Sequence, residues 1–154
     1  METAAIKQAI EELLRALGVA VDTIEVSTHE LSGSPKFVIR SQESRLLIGP
    51  RGETLSALNH LLRKVLAKRL PNGEDTRFFL DVDGYQEKII DELQSKVRML
   101  SERARSLKTN VELEPMSAYE RMLVHASLQN DPELTTESFG QGSGRRIVIK
   151  YKGV

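Results

Sequence analysis

The spacing of apolar residues changes several times between helical and strand-like periods along the first half of the chain. Leu55, Leu58 and Leu62 recur every three or four residues, which is typical of the buried face of a helix. Phe78, Leu80 and Val82 instead recur at every second position, with Asp81 and Asp83 among the positions between and after them, which indicates a half-buried strand. The predicted elements are a helix, two strands, two helices and a strand, over residues 3–17, 19–27, 36–40, 41–48, 53–69 and 77–83. The predicted order is therefore α-β-β-α-α-β.

The second half begins with a long helical pattern over residues 84–107. At about 1.5 Å per residue such a helix is roughly 36 Å long, which is enough to join two modules. A strand, a helix and two more strands are predicted after it, over 111–113, from about Pro115, over 134–138 and over 146–151. We therefore expect three parts, which are a domain over 1–83, a connecting helix over 84–107 and a domain over 108–154.

Composition narrows the possible chemistry. The 154 residues include no cysteine, and the three histidines are far apart, so nothing indicates a metal site or another cofactor. No combination of nucleophile, base and metal ligands indicates catalysis, and we expect a protein that is not an enzyme. The N-terminus lacks a basic start and a continuous apolar run, and no stretch approaches the ~18 apolar residues of a membrane span. These features predict a cytoplasmic protein without a membrane span.

Charge is unevenly distributed although its formal sum is zero. Residues 40–69 carry seven basic and two acidic residues, and the last ten residues carry four basic residues and no acid. Basic segments of this kind can form a phosphate-binding face in a neutral protein. Scattered, solvated charges explain the same counts of basic and acidic residues. The charge distribution alone therefore does not decide between a phosphate-binding face and an ordinary solvated surface.

Gly49, Pro50, Arg51 and Gly52 separate two predicted helices. Without Cβ atoms, the two glycines allow a positive φ and a close approach of the backbone to a sugar-phosphate chain. The start of the following helix presents a positive dipole end, and Arg51 adds a charge suited to phosphate. A plain helix end followed by a helix start is the structural alternative for this loop.

The run from Leu46 to Leu58, with this loop inside it, resembles the KH domain of the bacterial Jag family, also called KhpB or SpoIIIJ-associated proteins. The resemblance implies a type II KH fold in which the loop holds about four nucleotides of single-stranded RNA. It also implies an apolar groove for the bases, with Ile48, Leu55 and residues 36–40 as candidate walls.

Arg45, Arg63 and Lys64 are candidates for extending the basic face of this domain. An ordinary solvated helix surface explains these three residues as well.

Arg121 and His125 are four residues apart on a predicted helix and therefore lie on one face of it. Ser117 and Glu120 have the spacing of a capping box at the start of this helix. The pair can be a surface arginine beside a packed histidine. It can also be part of a phosphate-binding surface if other basic residues converge on it, for which the candidates are Arg145, Arg146, Lys150 and Lys152.

Residues 116–125, 136–142 and 145–146 resemble the Arg-x-x-x-His domain that ends Jag proteins. This resemblance implies that Arg121 and His125 mark a single-stranded nucleic-acid-binding surface. Together the two resemblances imply an α+β protein in which a type II KH domain is joined by a long helix to a small α/β Arg-x-x-x-His domain. The additional N-terminal Jag domain of many members is expected to be missing, with the first helix completing the KH fold instead.

The resulting expectation is a single-stranded RNA-binding protein, either a post-transcriptional regulator or an RNA chaperone of the Jag type. Single-stranded DNA is an alternative ligand, because phosphate clamps and stacking surfaces tolerate both. Two further alternatives are a protein–protein adaptor linked to membrane-protein insertion and an RNA-processing enzyme. A second small KH protein is a further candidate partner.

Overall fold

The computed structural model describes residues 2–153, so Met1 and Val154, the outer limits of the two predicted domains, lie outside the described residues. The chain forms two compact units, of which the first ends at Glu87 and the second begins at Lys88. Each unit combines helices with a three-stranded sheet, which confirms the mixed α+β class. Over residues 2–153 no helix has both the length and the apolar character needed to cross a bilayer.

The first unit has the element order α-β-β-α-α-β. Its elements are α1 (Glu2–Ala16), β1 (Thr23–Thr28), β2 (Pro35–Arg40), α2 (Ser44–Ile48), α3 (Glu53–Arg69) and β3 (Phe79–Val82). β1 pairs antiparallel with β2, and β2 pairs parallel with β3, so β2 is the central strand. A parallel pair needs a crossover connection, and α2 and α3 supply it.

The core of this unit contains the apolar stripes of α1 and α3 together with one face of the sheet. Ile6, Ile10 and Leu62 of the helices and Phe37 and Val82 of the strands are at most 1% exposed. Full burial of an aliphatic or phenyl side chain contributes about 1.5–3 kcal/mol relative to its exposure. The stripes that are visible in the sequence therefore select which side of each helix faces the sheet.

β3 is more buried than a strand with one solvated face. All four of its residues are buried, including Phe79 and Asp81 on the side away from the main core. The Phe79 ring stacks on His29 with 4.2 Å between ring centroids. The Asp81 carboxylate accepts the backbone N–H groups of Gln86 (2.8 Å) and Glu87 (3.3 Å). The half-buried prediction is wrong here, because the loop histidine and the next helix turn meet this face.

The second unit contains most of α4 (Tyr85–Leu107), followed by β4 (Val111–Glu112), α5 (Ala118–Leu128), β5 (Leu134–Phe139) and β6 (Arg146–Tyr151). β6 is the central strand and pairs antiparallel with both neighbours. Val97 and Ala104 of α4 join Ile147 and Ile149 of β6 in one buried cluster. The segment predicted as a connecting helix is thus a wall of the second unit's core, and its first turn belongs to the first unit.

Candidate nucleic-acid interface

The loop between α2 and α3 contains three residues with positive φ. Gly49 has φ 72°, Arg51 has φ 54° and Gly52 has φ 75°. A left-handed conformation costs a residue with a Cβ about 1–2 kcal/mol, which glycine avoids. The loop therefore makes a tight reversal from α2 into α3, as the two glycines predict.

Both glycines also have close neighbours inside the fold. A Cβ on Gly49 would lie 2.1 Å from Oγ1 of Thr54, and a Cβ on Gly52 would lie 2.9 Å from Cε1 of Tyr85. Real Cβ atoms essentially never come this close to another heavy atom. Packing within the protein thus disfavours a Cβ at these two positions, before any ligand is considered.

The side chains of the loop face solvent. Pro50 is exposed, and the Arg51 side chain is 89% exposed, with only a distant ion pair to Glu53 at 3.9 Å. Arg45 is exposed on α2 one turn before the loop, and its carbonyl accepts the Gly49 N–H at 2.9 Å. The two arginines are therefore accessible to an anion beside the loop.

The apolar groove predicted beside the loop is only partly present. Leu55 is 0% exposed and belongs to the core with Phe37, so neither can contact a base. Ile48 is half-buried, and Leu46, which was not among the predicted walls, is 65% exposed on the short helix α2. The helical phase explains the difference, because Leu47 is the residue of α2 that turns into the core.

Arg63 has a structural role in the first unit. Its guanidinium lies over the Phe78 ring at 4.6 Å and donates to the carbonyl oxygens of Thr76 and Phe78. Burial lowers the pKa of Arg63 from its usual value. This arginine is therefore used in holding the segment that enters β3.

Helix α5 of the second unit starts at the predicted capping box. Ser117 Oγ accepts the Glu120 N–H at 3.2 Å, and the Glu120 carboxylate accepts the Ser117 N–H at 2.9 Å. These reciprocal bonds satisfy two amides that a helix start leaves without partners. The start of α5 is thereby defined one turn before Arg121.

Arg121 and His125 are each fixed by a neighbouring polar group. Arg121 Nη1 donates to the Met116 carbonyl at 2.7 Å, and the Met116 N–H donates to the Arg145 carbonyl at 3.2 Å. His125 Nδ1 lies 2.5 Å from Oγ1 of Thr136 on β5. This side of α5 is thus connected both to the segment before β6 and to β5.

Arg145 lies on the same side of β5 as His125. Its Nε donates to Oγ of Ser138 at 2.9 Å. Thr136 and Ser138 are two residues apart, so their side chains leave the strand on one face. They are opposite Ile149 and Ile147, the buried residues of β6, which identifies that face as the one toward α5. The structure therefore brings Arg121, His125 and Arg145 together along one edge.

Arg146 and Lys150 lie on the opposite face of this sheet. They alternate along β6 with the buried Ile147 and Ile149. Arg146 pairs with Glu112 and lies 4.8 Å from the centroid of the Phe139 ring. Lys150 pairs with Glu137. The basic residues considered for one surface are consequently divided between two faces, and Arg146 does not join the Arg121–His125 pair.

Thr136 and Ser138 lie in the run that resembles the Arg-x-x-x-His domain, but neither hydroxyl is among the predicted binding residues. The alternation of residues 134, 136 and 138 along a strand is the signal that could have found them. Within residues 2–153 no group of three or more His, Asp and Glu side chains has an arrangement able to hold a metal ion.

A comparison with known protein families finds a match that covers most of the second unit. Residues 87–151 match the family model of the Arg-x-x-x-His domain (the R-3-H domain), and Arg121 and His125 lie within the match. The second unit is therefore similar to a domain of this family.

Three curated relatives carry the name RNA-binding protein KhpB. The protein of Clostridium symbiosum is 32% identical over 143 residues, which cover 93% of this chain and 63% of that protein. The protein of Bacillus subtilis is 31% identical over 130 residues, covering 83% and 62%. That of Lactiplantibacillus plantarum is 32% identical over 140 residues, covering 91% and 42%. The chain spans less than two thirds of the length of these relatives, and together with the domain match they support the KhpB/Jag family.

Proposed function

We propose that this chain is a non-catalytic protein that binds single-stranded RNA and acts as a post-transcriptional regulator or RNA chaperone. One observation carries the proposal. Over residues 2–153, Arg121, His125 and Arg145 make no ion pair with a carboxylate, whereas Arg146 and Lys150 on the other face are paired. Arginines without a carboxylate partner, here Arg121 and Arg145, are groups that a phosphate can contact without first displacing an internal anion. The name RNA-binding protein of the three relatives supports RNA as the ligand.

A second binding surface is proposed at the loop of the first unit. The order α-β-β-α-α-β, the central β2 and the loop between α2 and α3 support a type II KH domain. The exposed Pro50, Arg51 and Arg45 are the residues that would meet the sugar-phosphate backbone. The division into a KH domain over 1–83, a helix over 84–107 and an Arg-x-x-x-His domain over 108–154 stays a prediction.

Phosphate contacts occur with both RNA and single-stranded DNA, so they do not decide between the two ligands. RNA is the proposed ligand only because the relatives are named RNA-binding proteins. A second small KH protein as partner and a cytoplasmic location also stay predictions. Competition of labelled RNA by unlabelled DNA of the same sequence decides between the two nucleic acids.

The test of the loop replaces both Pro50 and Arg51 with aspartate in the intact chain. Two carboxylates in place of an arginine and a proline repel phosphate, so we expect single-stranded RNA to bind about tenfold more weakly at low salt. A matched control carries the same two substitutions at the exposed Pro71 and Arg77, beyond the other end of α3, and changes the net charge equally.

The Arg121–His125 surface of the second unit is tested by the paired replacement of Arg121 and His125 with alanine, with Lys150→Ala as the control on the opposite face. We expect weaker binding and a shallower dependence of affinity on salt for the double variant only. If the loop and helix variants both bind like their controls while keeping wild-type melting temperatures, the proposed function is wrong.

A further inference from the structure

A groove beside His125 extends beyond the predicted Arg-x-x-x-His pair. It has a volume of about 450 Å³, which falls in the range of small-molecule sites. Its walls come from the end of α5, the start of β5 and the residue after β6, and they consist of Met122, His125, Ala126, Leu128, Gln129, Leu134, Thr135, Thr136 and Lys152. No lining residue is acidic, so the groove suits an anionic ligand with an apolar part.

The polar side of the groove continues the Arg121–His125 stripe by one helical turn. Gln129 follows His125 by four residues, and its φ of −57° and ψ of −37° keep the helical conformation past the end of α5. Residues four apart share one face of a helix, so Arg121, His125 and Gln129 form one row. Arg121 does not line the groove, whereas the other two do. The groove therefore begins at the histidine and leads away from the arginine.

Lys152 supplies positive charge to this groove. Its backbone N–H donates to the Glu133 carbonyl at 2.9 Å, and its Nζ donates to the Asp131 carbonyl at 3.0 Å. An ammonium has three donors, so two remain for a ligand after the bond to Asp131. Unlike Lys150, which pairs with Glu137, Lys152 forms no ion pair among the described residues. Its ammonium is therefore held by one neutral backbone oxygen, that of Asp131.

The remaining wall is apolar and accessible. Met122 is 53% exposed, and Ala126 is exposed one turn further along α5. The thioether of methionine is polarizable and makes favourable contacts with aromatic rings. An aromatic base can lie against this wall while polar groups at its edge reach Gln129 or Thr136.

We propose that this groove is a nucleotide subsite, which takes the base and phosphate of a residue next to the one held by Arg121 and His125. Met122 and Ala126 contact the base, Lys152 contacts its phosphate, and Gln129 contacts a polar edge of the base or the sugar. This inference rests on the proposed function of the second unit, because it extends the path of the same single strand.

The first test compares Lys152→Ala with Lys150→Ala, which removes the same charge two residues away on the opposite face of the sheet. Both are made in the intact chain carrying Pro50→Asp and Arg51→Asp, so that the second unit provides most of the binding. The probe is a fluorescein-labelled single-stranded RNA of mixed sequence. We expect Lys152→Ala to weaken binding about fivefold and to lower the salt slope by about 0.7, the value for one phosphate of a single strand. Lys150→Ala should stay within about twofold of its parent.

A second pair of variants tests the apolar wall. Ala126→Glu places a carboxylate in the groove, and Ser127→Glu places one at the neighbouring exposed position, which does not line it. We expect about tenfold weaker RNA binding for the first and less than about threefold for the second. Melting temperatures of both variants show whether α5 remains folded.

The outcomes separate this subsite from the proposed function. If His125→Ala weakens RNA binding while Lys152→Ala and Ala126→Glu behave like their controls, the strand does not enter the groove and the subsite is wrong. If His125→Ala, Lys152→Ala and Ala126→Glu all bind like the parent, the proposed function of the second unit fails and the subsite fails with it. Selective losses for Lys152→Ala and Ala126→Glu support the subsite.

Discussion

Replacement of Gly52 by alanine separates two reasons why the loop needs glycine. Gly52 has φ 75°, and a Cβ at this position would meet Cε1, the hydroxyl oxygen and Cζ of the Tyr85 ring at 2.9, 3.2 and 3.4 Å. All three contacts belong to one side chain, which packs partly buried against the core of the first unit. Backbone strain and collision with Tyr85 should therefore add to each other in this variant.

The magnitude follows from the two terms. Alanine in the left-handed region costs about 1–2 kcal/mol. Overpacking against a ring that the core holds costs about 1–3 kcal/mol more. We therefore expect Gly52→Ala to lower the free energy of unfolding of the first unit by about 2–5 kcal/mol.

Gly18→Ala provides the matched control. Gly18 has φ 70°, and a Cβ there would meet nothing within 4 Å, so only the strain should remain. Urea unfolding followed by far-UV circular dichroism, together with hydrogen exchange of the first unit's amides, measures both variants in the intact chain. The difference between them isolates the collision with Tyr85.

The Tyr85→Ala background completes the test as a double-mutant cycle. Without the ring, Gly52→Ala should cost no more than Gly18→Ala. If Gly52→Ala and Gly18→Ala cost the same in the wild-type chain, or if the excess persists without the Tyr85 ring, the tyrosine is not what requires glycine at this position.

Two further predictions concern buried polar groups on the second face of the first sheet. Burial, followed by the charge of Lys36, lowers the pKa of His29, so the unfolded chain takes up this proton first as pH falls below the ordinary value of 6.5. Stability should therefore decline on acidification from that pH. His29→Gln should remove part of this slope in urea titrations at several pH values, and parallel curves for the two proteins would contradict the assignment. Asp81→Ala leaves the N–H groups of Val82, Gln86 and Glu87 without their acceptor and should cost about 1–3 kcal/mol. Asp81→Asn should cost less because one oxygen remains, and equal losses for the two variants in the same urea assay would refute this interpretation.

The helices and their order could be predicted from the sequence because short-range physics determines them. Leu55, Leu58 and Leu62 recur at the helical period, and all three are buried in α3. The capping box at Ser117 and the positive φ of Gly49 likewise depend on a few neighbouring residues. Local spacing and the absence of a Cβ are properties of the chain itself, so folding does not change them.

Burial on the second face of a sheet could not be predicted in this way. Phe79 and Asp81 occupy the positions of β3 that alternate with Phe78, Leu80 and Val82, and a strand with one solvated face would expose them. His29 comes from a loop some fifty residues earlier in the sequence, and Gln86 and Glu87 come from the turn of a following helix. Only the three-dimensional pairing of these segments covers the strand on both sides.

The candidate site shows the same division between local and tertiary information. The shared helix face of Arg121 and His125 follows from their spacing of four residues and needs no folded structure. Which of the C-terminal cations accompany this pair depends instead on the assembled sheet. Arg145 and Arg146 are adjacent, yet one binds Ser138 and the other pairs with Glu112 on the opposite face. Neighbouring residues of an extended chain point in opposite directions, and the order of strands in the sheet decides what each direction meets.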